Sequence, residues 1–176
     1  MKVKLKDVGT IVTGKTPSTK NQKYWNGDIC FVTIEDIHTN KNIKSTQRTI
    51  TKDGFDNLGK NVISGISILV NCVGDIGVVG ITELTCATNQ QINSITRIKK
   101  EYNPYFIYFI LQTMKQEMVS LSGQTVLRIL PKSVFENIEI DLPDRETQDK
   151  IVKILSGIDD QIERNNVIVK RFETVL

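Results

Sequence analysis

Ile138-Glu139-Ile140-Asp141-Leu142-Pro143-Asp144 is the stretch where one periodicity gives way to another. Ile138, Ile140 and Leu142 alternate with acids, the pattern of a half-buried strand, and Pro143 stops it. Asp144 then stands where a helix cap is wanted. Beyond it Ile151, Leu155, Ile158, Ile162, Asn165, Val169, Phe172 and Leu176 recur at intervals of four and three, a heptad seam. From Ile151 to Leu176 such a helix runs about 38 Å. Lys153, Asp159, Asp160, Glu163, Arg164 and Lys170 fill the opposite face. An amphipathic helix of this length calls for a partner helix, and Asn165 within the seam is the kind of residue that fixes register. The helix folding back on its own domain is the simpler alternative. The division expected is residues 1–143 as a domain and 144–176 as a spacer and dimerisation helix.

Upstream of the seam the chain reads as an α+β domain. Residues 1–100 are expected to be mainly short strands and polar turns, with Ile29–Val32, Ser67–Val70 and Ile92–Ile98 as strands. Asn103-Pro104 predicts an N-cap with proline at the first helical position, opening a helix from Tyr105 to Leu121 that Ser122-Gly123 ends. Ser133-Val134-Phe135-Glu136 fits a capping box and a short helix. Gly14, Pro17, Gly77 and Gly123 are expected to set backbone shape, and Tyr24 and Trp25 to anchor core or loop.

With 176 residues and 39% hydrophobic composition the chain is long enough for a real core, and no apolar run approaches membrane-spanning length. The N-terminus alternates charge with apolar residues and has no signal-like apolar run. Cys30, Cys72 and Cys86 are odd in number and form no CxxC, which suits free thiols in a reducing cytoplasm. The one histidine, His38, sits in a polar stretch and is expected on a solvated loop or turn. One histidine and three scattered cysteines are a poor supply for zinc or for a nucleophilic relay, so no metal and no catalytic residues are assigned. The net charge of +3 is uneven: residues 1–60 hold eleven lysines and arginines against six acids, among them Lys15, Lys20, Lys23, Lys41 and Arg48. Hydroxyls and amides are interleaved from Thr16 to Lys23, a mixture suited to phosphate contacts.

Two motifs point to chemistry and fail on context. Gly9 to Thr16 matches G-x-x-x-x-G-K-[ST], but Pro17 follows at once and no apolar residue docks a helix before Tyr24. A P-loop nucleotide enzyme is therefore the second class. Asn103-Pro104-Tyr105-Phe106 is close to an adenine-methyltransferase signature but lacks its second proline, and the helix start accounts for it. A structural coiled-coil adaptor is the third class.

Motif order supplies the remaining reading. Lys4-Leu5-Lys6-Asp7-Val8 leads to Gly14-Lys15-Thr16-Pro17-Ser18, Tyr24-Trp25 and Phe31-Val32-Thr33. Gly74-Asp75-Ile76-Gly77, Ala87-Thr88-Asn89-Gln90, Gly123-Gln124-Thr125 and Leu130-Pro131-Lys132 follow, and then Ile140 to Pro143 with Gln148, Lys150-Ile151 and Ile154-Leu155. This order resembles the specificity subunits of Type I restriction–modification systems, with one target recognition domain and one conserved helix. Thr147 stands where that family usually has Glu, a local change in capping. Family members usually carry two such domains, so the resemblance implies a half-subunit that dimerises or a fragment of a longer protein. It implies a mixed-strand domain reading a DNA half-site, and a helix pairing antiparallel with a second copy. Partners would be double-stranded DNA, methyltransferase subunits and a restriction/translocase subunit. S-adenosylmethionine and ATP would sit on those partners, with no cofactor here. DNA-facing loops would present Lys15, Thr16, Ser18, Lys20, Lys23, Thr33, Asn89, Gln90, Gln91, Gln124, Thr125 and Arg128. Lys15, Lys20 and Lys23 are assigned to phosphates, and Gln90, Gln91, Gln124 and Arg128 to base edges.

Overall fold

A computed structural model describes residues 1–123 and 127–173, apart from the side chains of 160, 163, 166, 167 and 169–173. The elements run β1 (Lys2–Lys4), α1 (Leu5–Val8), β2 (Thr10–Thr13), a 3-10 turn (Gln22–Tyr24), β3 (Trp25–Val32) and α2 (Ile34–Thr39). Next come β4 (Asn42–Ile43), β5 (Arg48–Ile50), α3 (Lys52–Asn57), β6 (Val62–Ile63), β7 (Ser67–Asn71), β8 (Val79–Thr82), β9 (Cys86–Thr88) and β10 (Ile92–Thr96). The chain finishes with α4 (Pro104–Thr113), α5 (Lys115–Ser120), α6 (Lys132–Phe135), β11 (Glu139–Asp141) and α7 (Arg145–Glu173).

Among the described residues the strands form three sheets. A five-stranded sheet has the order β2-β10-β7-β8-β4, a four-stranded sheet the order β5-β3-β9-β6, and β1 pairs with β11. Pairing is antiparallel except for β3 with β9 and β4 with β8. Every residue of β7, β8 and β10 is buried, because both faces of the central sheet are covered. On one face Ile68, Val70 and Ile95 pack with Phe106, Ile107 and Leu111 of α4. On the other, Leu69 and Ile92 meet Val32, Ile63 and Cys86 of the second sheet. The far face of that second sheet, with Phe31, Ile50 and Ala87, is closed by Trp25 and Leu58. The stacking order is therefore helices, central sheet, second sheet, then α3 and the Trp25 corner.

Several sequence expectations are corrected. The first hundred residues hold three short helices that strand-and-turn reading passes over. α2 is started by a reciprocal capping box between Thr33 and Asp36, and α3 by the Thr51 hydroxyl accepting from the Gly54 N–H. The expected helix from Tyr105 to Leu121 is two helices, broken at Met114, whose φ of −95° and ψ of 12° fall outside the helical range. Ser133 does not cap α6: the N-cap is Pro131, with no side-chain bond. His38 is solvent-exposed as expected but lies on helix α2 rather than a loop or turn, with Nε2 3.6 Å from Asp75 Oδ2. Among the described residues Gly123 meets no atom within 4 Å of a Cβ placed on it, and it is not among the glycines with positive φ, so nothing described there requires a glycine. The Asn103 cap stands as expected, its side chain accepting from Tyr105 N and Phe106 N.

α7 begins as a docked element. The Asp144 carboxylate accepts from Thr147 N at 2.9 Å and from Thr147 Oγ1 at 2.8 Å, and these bonds hold its pKa below the usual carboxylate range. Buried Gln148 accepts from Asn103 N at 2.8 Å and donates to Pro143 O at 2.9 Å, which ties the helix start to the cap of α4. Ile151 and Val152 then pack on the main core.

Candidate nucleic-acid interface

The candidate site grows from the end of the two stacked sheets where strands β2, β3 and β9 finish. Gly14, just past β2, donates its N–H to Ile92 O at 3.0 Å, and Lys15 N donates to Thr88 O at 2.9 Å. A Cβ on Gly14 would lie 2.0 Å from Asn89 O and 2.2 Å from Thr88 Oγ1, so only glycine lets the two loops close. The Thr16 hydroxyl donates to Gln90 Oε1. Asn89 N donates to Val32 O at 3.0 Å, which brings the start of α2 and Thr33 alongside. Lys15, Thr16, Thr33, Asn89, Gln90 and Gln91 thus come from three separate segments and form one rim.

Their side chains divide by task. Lys15 and Gln90 are exposed. Asn89 Oδ1 accepts from Gln91 N at 3.1 Å and its amide donates to Gln91 Oε1 at 3.1 Å, so this amide shapes the turn. The Thr33 hydroxyl donates to Asp36 Oδ2 at 2.8 Å within the α2 cap.

Two extensions leave the rim. Gln91 O accepts from Cys72 N at 2.7 Å, Cys72 O accepts from Leu130 N at 2.8 Å, and Arg128 O accepts from Gly74 N at 2.9 Å. Exposed Arg128 is joined to the rim through this ladder; Gln124 and Thr125 lie outside the described residues. Burial holds the Cys72 thiol on this ladder up at about 11, so it stays an inert packing group. In the other direction Ser18, Lys20 and Lys23 are all exposed along the segment leading to Trp25. The Trp25 indole N–H donates to Ser18 O at 3.2 Å, and the Thr51 hydroxyl donates to Lys23 O at 2.7 Å. Trp25 is therefore a core anchor, as its sequence context suggested.

One cation at this end was not singled out as a site residue from sequence. The Arg48 guanidinium lies 4.1 Å from the centre of the Trp25 ring and 5.5 Å from that of Phe31. Trp25 and Arg48 are distant in sequence, and only the β3–β5 pairing, with Phe31 opposite Arg48, brings them together.

The P-loop reading does not survive this geometry. Thr10–Thr13 is a strand and no helix follows Lys15-Thr16; the next regular element is the short 3-10 turn at Gln22.

Comparison with known proteins agrees with the geometry. Residues 1–170 match the family described as the Type I restriction modification DNA specificity domain. The MjaIX Type I restriction enzyme specificity subunit of Methanocaldococcus jannaschii is 32% identical over 163 residues, covering 91% of this chain and 38% of that protein. The HindI specificity subunit of Haemophilus influenzae is 36% identical over 157 residues, covering 85% of this chain and 34% of that protein. The chain thus spans little more than a third of the length of these relatives. Among solved structures, a chain from work on assembly and conformational transition of the type I R-M system aligns with TM-score 0.74 at 17% identity. That alignment covers 93% of this chain and 39% of that one. The HsdS subunit from Thermoanaerobacter tengcongensis gives 0.70 at 17% identity, over 93% of this chain and 38% of that one. With its mixed sheets arranged as in these structures and a family match over nearly its whole length, the chain belongs to the Type I restriction modification DNA specificity domain family.

Proposed function

We propose that this chain is the DNA-reading part of a Type I restriction–modification specificity subunit and performs no chemistry itself. The observation that carries the reading is the family match over residues 1–170. The rim supports it: exposed Lys15, Gln90 and Arg128 lie on loops that backbone bonds tie together where strands of the two stacked sheets end. In this reading residues 1–143 form the head that reads one half-site. Lys15, Lys20 and Lys23 hold phosphates, while Gln90, Gln91, Gln124 and Arg128 face base edges. Residues 144–176 form the spacer, pairing antiparallel as a coiled coil with a second copy. The complex docks methyltransferase subunits, which bring S-adenosylmethionine, and a restriction/translocase subunit, which uses ATP. This chain binds neither cofactor, and the assembly works in the cytoplasm. No helix among the described residues is long and apolar enough to cross a membrane.

An electrophoretic shift with duplex DNA at two salt concentrations tests this, with the chain alone and with a cognate methyltransferase. Binding that weakens steeply as salt rises is expected, because phosphate contacts release counterions. No shift in either format sinks the reading and leaves the structural-adaptor class.

A further inference from the structure

We propose that Arg48 is a DNA phosphate ligand, held in place by the face of Trp25. The inference rests on the DNA-reading function above and adds to that site a residue outside its loops. Three observations meet at this point. First, the guanidinium is stacked 4.1 Å over an indole that is itself fixed: Trp25 is 8% exposed, and its N–H is spent on Ser18 O. A planar cation on a rigid ring is pre-organised, and less freedom is lost when it captures a ligand. Second, Arg48 is exposed, and among the described residues its side chain has no hydrogen bond and no ion pair. Its five N–H donors form a fork that fits an anion's paired oxygens, and none has a hydrogen-bond partner among the described residues. Third, the Trp25–Ser18 bond sets this cation beside the Gly14–Ser18 loop, continuous with exposed Lys20 and Lys23. The arrangement favours a phosphate over a base edge. A side chain laid back over its own sheet presents its donors at the surface, where the duplex backbone lies, and has no reach left for a groove.

The test uses the full chain and a pool of duplexes randomised in sequence, with affinity measured across a salt series. The variants are Arg48→Ala, Arg48→Lys, and Lys2→Ala as a charge control on β1. Arg48→Ala should weaken binding roughly tenfold, the effect of about one charged hydrogen bond. It should also lower the slope of log affinity against log salt by about 0.9, one phosphate's worth. Arg48→Lys, which keeps the charge and loses the fork, should fall between wild type and Arg48→Ala, and Lys2→Ala should stay near wild type. Arg48 is exposed, so the alanine variant keeps the core filled, and a thermal melt checks this. If wild type binds and Arg48→Ala matches Lys2→Ala, the arginine is only a cover for Trp25 and the inference is overturned while the DNA reading stands. A loss confined to particular sequences, found by sequencing the bound pool, overturns it in favour of a base contact. If wild type itself does not bind, the DNA reading falls and Arg48 with it.

Discussion

Gly14 shows how little at the candidate interface depends on a side chain. A methyl group there would enter the space of Asn89 O, Thr88 Oγ1 and Thr88 O, all within 2.5 Å. Two of these are backbone carbonyls already engaged, Thr88 O by Lys15 N and Asn89 O by Ile92 N, and cannot rotate away. Gly14→Ala should therefore push the Gly14–Ser18 loop off the Asn89 turn and cost about 1–3 kcal/mol, the usual range for overpacking. Gly123, with nothing among the described residues in reach of its Cβ, is the control: Gly123→Ala should leave stability near wild type. Urea unfolding midpoints measure both. Equal midpoints for Gly14→Ala and wild type would mean the rim is looser than described. The sequence marked Gly14 and Gly123 alike as shape-setting, because a glycine announces freedom of the backbone without saying whether anything stands opposite. What stands opposite Gly14 is set by a strand pairing across about eighty residues, β2 with β10.

At the scale of elements, the legible features were those with local causes. The Asn103 cap, the Asp144 cap and the strand that Pro143 ends are each fixed within a few residues, and each is found. The short helices of the first hundred residues are not legible because four to six residues hold no periodicity; α2 and α3 betray themselves only through Thr33 with Asp36 and through Thr51, whereas the short helix at Ser133–Glu136 is expected and is found as α6. Gln148 stood out in the motif order, but its task needed the structure: it bridges the start of α7 to the Asn103 backbone. Next to it, Asp149 accepts from the Asn103 amide and from Arg145 Nε at 2.8 Å, and these partners hold its pKa below the usual carboxylate range. A carboxylate with a depressed folded-state pKa stabilises the fold above its unfolded value, about 3.9, and that contribution is lost as pH falls through the folded value. Asp149→Asn should lower the urea midpoint at pH 7, and the gap from wild type should close as pH drops below about 4. A gap that is the same at both ends of that range would show that the charge of Asp149 does not anchor the helix.

For the whole molecule the question is what covers the outer part of α7. Its first turns are docked through Ile151 and Val152, and Tyr108 of α4 is near enough to Asp159 to feel its charge. Burial first, and that charge second, push the Tyr108 hydroxyl up to about 12. Folding back, the simpler alternative weighed from sequence, thus describes the first turns of the helix, and pairing with a partner helix stays the proposal for the turns beyond them. Beyond the docked turns Ile158 and Ile162 are each 52% exposed on the heptad seam, and Asn165 on that seam is exposed as well. Val169 and Phe172 continue it with side chains outside the described set, and Leu176 lies beyond the described residues. Covering an isoleucine fully is worth about 1.5–3 kcal/mol, so two half-covered ones favour association without dictating it. If the proposed pairing with a second copy is right, Ile158→Asp with Ile162→Asp should turn a dimer into a monomer in light scattering. Circular dichroism of the head should be unchanged, because neither side chain belongs to a core cluster. The same variant should lose the two-fold symmetric, interrupted footprint that a symmetric dimer imposes on DNA, keeping at most a single weak half-site. A wild-type chain that is already monomeric, or a variant whose mass does not change, would place the seam against some other partner and remove the geometric basis for a symmetric site.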